Sequence, residues 1–233
     1  MVSFRVKVAA APLRIQVTER LRSAITECHF KAEDRLIERE LCKLLGVSRG
    51  SVRESLRQLE AEGLVRLIPN VGPVVATVTV EDARQIYEIR MVLEGLACAR
   101  FAEHATDDQI ARLAKSVAKM EKAHSQRKAS AMFRAKTRFY DVLAIGCGNQ
   151  LLAKQVVQLR ARVSQFREMI FTREDRIFES LQEVLPIMKA IRDRNPEAAR
   201  EAGSARIKKA SEVALAMGVF EENRSAENSS EAA

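Results

Sequence analysis

Long apolar runs are missing from this 233-residue sequence. No stretch approaches the roughly 20 consecutive apolar residues that a membrane-spanning helix requires. The N-terminal residues also lack the pattern of a secretory signal. We therefore expect a soluble, cytoplasmic protein that has no membrane partner.

Cysteine and histidine are scarce. The four cysteines lie far apart, at Cys28, Cys42, Cys98 and Cys147. Because they have neither paired spacing nor the frame of a small secreted domain, we expect reduced, mostly buried thiols. The three histidines are equally scattered, at His29, His104 and His124. These residue types predict no metal site and no cofactor.

Sequence signatures of catalysis are absent as well. The chain has no glycine-rich phosphate loop, no HExxH motif, no Ser/Cys–His pairing and no carboxylate pair at an informative spacing. An enzyme is therefore the weaker hypothesis, and turnover of a small metabolite by the purified protein would revive it.

Positive charge is abundant, and the net charge is +8. Residues 1–78 carry +4, residues 79–220 carry +7 and residues 221–233 carry −3. Basic balance suits a nucleic-acid partner, although the larger excess lies in the second segment. The length and the 47% hydrophobic content allow two domains with ordinary cores.

Residues 38–75 predict a helix-turn-helix followed by a hairpin. A first short helix ends before Gly46, and Ser48 has the N-cap position of a second. Gly63 allows the chain to leave that helix in a left-handed conformation. β-Branched residues flank a turn at residues 69–73, which predicts a projecting wing. Together these elements form a winged helix-turn-helix.

The second helix of this unit has an apolar face and a basic face. Val52, Leu56 and Leu59 recur at helical spacing and form the packing face. Outside that face lie Arg49, Gly50, Ser51, Arg53 and Arg57. Arginine forks beside small side chains can reach base edges or phosphates in a major groove. Helix pairs of this spacing also occur as ordinary packing units.

Residue identities distinguish the two readings. Residues 35–41, 45–49, 51–56 and 59–65, together with Gly72, closely resemble the DNA-binding domain of GntR-family transcription regulators. By that resemblance, the DNA-contacting positions are Arg39, Arg49, Gly50, Ser51, Arg53 and Gly72. The family usually has Pro-Gly ahead of Arg35, whereas this chain has Ala32-Glu33. This departure concerns the conformation of that turn and not the helices.

After the hairpin, every periodic segment predicts helix. Thr79 and Thr106 have N-cap positions, and later helices are expected at about 130–146, 149–168, 175–193 and 196–217. Pro186 should kink the fifth helix or move its start. The predicted fold is mostly α: a winged helix-turn-helix at residues 1–78, an all-α bundle of about six helices at 79–220, and a disordered tail at 221–233.

The first bundle helix has an apolar stripe that includes Ile86, Ile89 and Leu93. Arg90 and Glu94 form an i,i+4 pair. We interpret that pair as an ion pair on the helix face or between helices rather than as a site.

The whole chain looks like the FadR branch of the GntR family, whose helical C-terminal domain, of the FCD type, binds an effector and forms the dimer. The landmarks are residues 87–94, Phe139, Gly148, Asn149, 190–191 and 197–199. The resemblance implies a homodimer that binds a palindromic, double-stranded DNA operator and responds to a small molecule. Two alternatives stay open: a regulator without a small-molecule ligand, and a winged helix used only for protein contacts.

In most bundles of this branch, the resemblance implies a divalent metal held by an Asp, a His four residues later, and one His on each of the last two helices. Counting from Asn149 and Asn195, those positions are Lys136, Tyr140, Val184 and Arg206. Neither cations nor valine offer a lone pair at neutral pH. We therefore expect no metal.

The replacements are informative in themselves. Lys136 and Tyr140 share a helix face with Met132, Phe139 and Leu143, and Arg206 also lies on an apolar stripe. A buried cation is costly unless it is paired.

Two hypotheses account for these cations. In one, the stems extend to solvent, or Glu183 or Asp141 neutralises the charges. In the other, Lys136, Arg206 and the Tyr140 hydroxyl bind an anionic effector directly, and a carboxylate fits that description.

Overall fold

The computed structural model of the chain describes residues 11–164 and 174–216. It divides into two compact units, Met1–Thr77 and Val78–Ala233. The tail expected at 221–233 lies outside the described residues. No described helix is both long enough and apolar enough to cross a membrane.

The first unit contains three helices and a hairpin: α1 (Ala11–Thr26), α2 (Glu38–Leu45), α3 (Arg49–Ala61), β1 (Val65–Ile68) and β2 (Gly72–Val75). The strands are antiparallel. Gly46 ends α2 with a φ of +66°, and the Ser48 hydroxyl accepts the Ser51 N–H at 3.3 Å. The predicted winged helix-turn-helix is confirmed.

The turn that departs from the family pattern is closed by backbone hydrogen bonds. Glu33 has a φ of +68°, and its N–H donates to the Val75 carbonyl at 3.1 Å. Leu36 N–H donates to the Pro73 carbonyl at 2.8 Å. Residues 33–36 therefore run beside β2, with Glu33 in a conformation that favours glycine.

The second unit has six described helices: α4 (Val80–His104), α5 (Asp107–Ser125), α6 (Ala129–Gly146), α7 (Gln150–Arg162), α8 (Glu174–Arg192) and α9 (Pro196–Ala216). Thr79 and Thr106 form the capping boxes of α4 and α5. The helix expected to reach residue 168 ends at Arg162, where Val163 leaves helical geometry. Pro186 lies inside α8, so it does not move the start of that helix.

Close packing of α4 against α9 determines where the charged residues of this unit meet. A Cβ added at Gly203 would lie 2.7 Å from Cys98 Sγ and 3.3 Å from the Glu94 carbonyl oxygen. Only glycine permits so close an approach. The two helices therefore bring the Glu94 and Arg206 side chains together in the core.

Candidate nucleic-acid interface and candidate effector pocket

The residues expected to contact DNA lie in the first unit. Arg49 and Gly50 are exposed, Ser51 is half-buried, and all three belong to the first turn of α3. Arg53 follows one turn later and is also exposed. Of the other two, Arg39 is exposed on α2, and Gly72 starts β2 with a φ of +102°.

Gly50 is not required by packing within the chain. A Cβ added there would meet only the Ser48 hydroxyl, at 3.9 Å. The small size of this residue therefore leaves open space outside the protein. Such space is what the backbone of a recognition helix needs to lie deep in a major groove.

Arg53 is held by a carboxylate of the preceding helix. Its Nε donates to both Glu38 oxygens, at 2.7 and 2.9 Å, and this hydrogen bond to Glu38 is the main reason that the pKa of Arg53 is raised. The terminal nitrogens remain available as donors, because an arginine has five N–H groups. Sequence reasoning missed Glu38, since no local pattern links residues 15 positions apart.

The three residues of the proposed effector site lie together in the second unit. Lys136, Tyr140 and Arg206 line a cavity of about 150 Å³. The cavity wall also contains Tyr87, Arg90, Phe133, Thr137, Arg160, Val163, Ser164, Ile177 and Ala210. Sequence reasoning missed two of its cations, Arg90 and Arg160. A larger groove of about 570 Å³ between α5 and α8 has no comparable cationic cluster.

Glu94 is the carboxylate behind this wall. Arg90 Nε donates to Glu94 Oε1 at 2.8 Å, and Arg206 donates to Oε2 at 2.5 Å. Burial alone would raise the pKa of Glu94, but Arg90, Arg206 and Arg160 outweigh it and lower the pKa to about 2. Glu94 is therefore ionised at neutral pH and bridges α4 to α9.

This bridge corrects one position of the expected face of α4, since Ile86 is buried as predicted and Ile89 is not. Ile89 is 50% exposed, whereas Arg90 and Glu94 are 6% and 5% exposed. Arg90 and Glu94 pair within α4, and Arg206 bonds to the same carboxylate from α9, so the expected ion pair extends between the two helices. Burial of two charged residues in place of an isoleucine is possible only because they bond to each other.

Tyr140 lies beside two guanidinium groups. Its ring centre is 4.3 Å from the Arg206 guanidinium carbon and 4.9 Å from that of Arg160. The hydroxyl is buried and has no hydrogen-bond partner among the described residues. Burial raises the pKa of Tyr140 to about 12, so the hydroxyl is a donor at neutral pH.

Lys136 is half-buried, and no carboxylate in the described ranges forms an ion pair with it. Of the two residues expected to neutralise the cations, Glu183 pairs directly with Arg176 at 2.7 Å. The charge of Glu183 also favours the protonated forms of Lys136 and Arg206. Asp141 Oδ1 is 3.9 Å from Arg160, a cation of the same wall. Burial and then the charge of Arg206 lower the pKa of Lys136 to about 7.

The donor set does not fit the divalent metal that the resemblance implies. Val184 is fully buried and carries no donor atom. Arg206 is a guanidinium cation with no lone pair to offer a metal, and Lys136 lies among other cations. In the part of the chain that the structure describes, no three His, Cys, Asp or Glu residues form a group that could hold a metal ion.

An exposed arginine-bearing helix in a winged helix-turn-helix, followed by a helical domain with a charged pocket, is the arrangement of a class of two-domain transcription regulators. Comparison with known families agrees. Residues 13–75 match the gntR family of bacterial regulatory proteins, and residues 85–208 match the FCD domain. The chain belongs to the GntR family of transcription regulators, in its FCD-containing FadR branch.

Individual relatives match along most of the chain. YdhC of Bacillus subtilis strain 168, an HTH-type transcriptional regulator, is 28% identical over 191 residues, which are 82% of this chain and 85% of YdhC. The transcriptional repressor NanR of Salmonella newport strain SL254 is 30% identical over 216 residues, 83% of this chain and 82% of NanR. The structure of Escherichia coli McbR/YncC has a TM-score of 0.79 at 20% identity and covers 91% of this chain and all of that chain, which shows a common fold.

Proposed function

We propose that this regulator binds a palindromic operator as a homodimer and changes its DNA affinity when a small anionic effector, such as a carboxylate, occupies the cavity of Lys136, Tyr140 and Arg206. One observation carries the effector part. Cations from four helices line one cavity, and one of them, Lys136, has no ion-pair partner among the described carboxylates.

Operator binding is assigned to Arg39, Arg49, Gly50, Ser51, Arg53 and Gly72. A two-fold dimer presents two recognition helices, so it reads two half-sites. The operator can be selected from a pool of random duplexes. Arg49→Ala or Arg53→Ala should then weaken operator binding by about 1–3 kcal/mol if the side chain contacts a base.

A matched control is available on the same helix. Arg57 is exposed, and its guanidinium pairs with Glu54 at 3.3 Å. Arg57 lies further from the N-terminal end of α3 than Arg49 and Arg53 do. Arg57→Ala should change operator affinity less than the other two substitutions. Unchanged affinity in both Arg49→Ala and Arg53→Ala would refute the interface, and an absence of salt-sensitive DNA binding would favour a protein-contact module instead.

Dimerisation is assigned to the helical unit at residues 79–220. The winged helix is too small to bury much surface beyond its own core, whereas the bundle has the area that a stable interface needs. Sedimentation of the separated fragments tests this assignment. A monomeric bundle beside a dimeric winged helix would contradict it.

The effector signal is assigned to α4. This helix carries Arg90 and Glu94, and it begins at Val80, five residues after the last residue of β2. A tilt of α4 on ligand binding would change the spacing of the two recognition helices. Lys136→Met combined with Arg206→Met should abolish the effect of an anion on operator affinity while operator binding persists. Lys136→Met alone keeps the Glu94 bridge and guards against loss of folding.

A further inference from the structure

The wall of the cavity has more positive charge than the chain itself compensates. Arg90, Lys136, Arg160 and Arg206 line it, and Glu94 is the buried carboxylate that bonds to two of them. Asp141 approaches Arg160 only to 3.9 Å and is 43% exposed. The third nearby carboxylate, Glu183, is paired with Arg176, so that pair adds no net charge. With Glu94 and Asp141 counted, two positive charges remain while Lys136 is protonated. A ligand with one negative charge would leave part of this excess uncompensated.

The cations are also spread around the cavity rather than gathered at one point. Arg90 comes from α4, Lys136 from α6, Arg160 from α7 and Arg206 from α9. Arginine binds a carboxylate most strongly when two of its N–H groups donate to the two carboxylate oxygens. A single carboxylate can form this arrangement with few arginines at once. Four cations on four helices therefore favour a ligand with two separate anionic groups.

The cavity has room for a small molecule. Its volume of about 150 Å³ is well above the roughly 10–15 Å³ that a single water needs on the same measure. A four-carbon dicarboxylate is a candidate of suitable size.

Two further groups in the wall lack the partner that such a ligand would supply. The buried Tyr140 hydroxyl donates to no described residue, although buried hydroxyls normally find an acceptor. Lys136 has no ion-pair partner among the described carboxylates, and both positive and negative side chains act on it. Arg206, Arg176 and Arg160 lower its pKa beyond the effect of burial, and Glu183 raises it.

We propose that the effector of this pocket is a small organic dianion with two carboxylate groups, bound directly by the arginines and Lys136 without a bridging metal. This inference rests on the proposed function, and it specifies the ligand class of the same site. Two carboxylates neutralise the excess charge of the wall, and one of them accepts the Tyr140 hydroxyl. Binding also restores the proton on Lys136, because a nearby anion favours the charged ammonium.

The test uses the full-length protein and titration calorimetry with three probes: succinate, its monoamide succinamate, and hydrogen phosphate. Succinate and succinamate have the same length and differ by one charge. We expect succinate to bind at least about ten-fold more tightly than either other probe, because only succinate has two separate carboxylates to pair with the cations of the wall. A chelator should leave that affinity unchanged.

Proton uptake on binding distinguishes a lysine that contacts the ligand from one that only supports the fold, because the second kind would gain no proton. In buffers of different ionisation enthalpy, binding should take up about half a proton per site at pH 7 and nearly one at pH 8. Lys136→Met should abolish the uptake and weaken binding, whereas Lys136→Arg should abolish the uptake and retain binding. Lys189→Met, an exposed lysine paired with Asp193 outside this cavity, should change neither.

Each contrary result points to a different error. Equal binding of succinate and succinamate, or tighter binding of phosphate, would overturn the assignment of two carboxylates. Loss of binding in chelator would overturn direct recognition. If dicarboxylates of three to six carbons all fail to bind while the operator is still bound, the ligand class is wrong and the regulator function stands.

Discussion

The two units use arginine in opposite ways. In the winged helix-turn-helix, Arg39, Arg49 and Arg53 are exposed, so each stays largely hydrated, even Arg53, whose Nε bonds to Glu38, and can exchange water for an external anion. In the helical unit, Arg90 and Arg206 are almost fully buried and bond to a carboxylate of the same chain. The exposed arginines need an external anion only for function, whereas the buried arginines need a carboxylate of the same chain for folding.

The largest test of this contrast is removal of the buried carboxylate. Glu94→Leu would leave Arg90 and Arg206 buried without their acceptor, and breaking a buried pair on one side costs about 3–5 kcal/mol. Chemical denaturation of the full chain should show this loss in the helical unit and little change in the winged helix. As a control, Asp193→Asn breaks the exposed pair with Lys189 and should cost less than about 1 kcal/mol.

The same carboxylate gives the contrast a pH signature. The pKa of Glu94 is lowered from its ordinary value of 4.5 to about 2, so the folded state binds this proton less readily than the unfolded state. Its contribution is therefore fully present above pH 4.5 and is lost as the pH falls towards 2. A Glu94→Leu protein whose acid denaturation between those values matches that of the parent would contradict the role of the bridge.

A smaller effect is expected from Glu38, which orients an exposed arginine. Glu38→Ala should leave Arg53 mobile and reduce the preference for the operator over a random duplex by about 1 kcal/mol. Affinity for the random duplex should stay equal or rise, because a negative charge near phosphates is removed. Glu54→Ala, which unpairs Arg57 on the same helix, is the control. Equal loss on both DNAs would show that Glu38 serves folding rather than orientation.

Local signals and distant ones were predicted with different success. Ser48, Thr79 and Thr106 were identified as helix caps, because a cap bonds to a residue three positions away. Ile86 of the predicted apolar face of α4 is buried, but Ile89 was predicted wrongly, because apolar periodicity assigns it to the core and cannot anticipate that Arg206, 112 residues beyond Glu94, completes a buried ion pair. Arg90 and Arg160 were missed for the same reason: their place in the pocket depends on helix packing and not on a motif.

Gly50 allows the exposed surface to be tested without disturbing the fold. Glycine in a helix is less favourable than alanine by about 1 kcal/mol, and a Cβ here meets only Ser48 Oγ at 3.9 Å. Gly50→Ala should therefore raise the stability of the winged helix by up to that amount and weaken operator binding. Thermal unfolding and operator titration measure the two effects. Stability and DNA affinity that rise together would show that no close partner needs this space.

The smallest effect concerns the turn that departs from the family pattern. Glu33 has a φ of +68°, and a left-handed conformation costs a residue with a Cβ about 1–2 kcal/mol. Glycine removes that strain but adds about 0.5–1 kcal/mol of unfolded-state entropy, so Glu33→Gly should stabilise the first unit by between about 0 and 1.5 kcal/mol. Glu33→Ala removes the same charge and keeps the Cβ, so it should give no gain. If alanine stabilises as much as glycine, the charge of Glu33 and not its backbone conformation is the unfavourable feature. Operator affinity should be the same in both variants, since the hydrogen bonds of Glu33 and Leu36 to Val75 and Pro73 involve only backbone atoms.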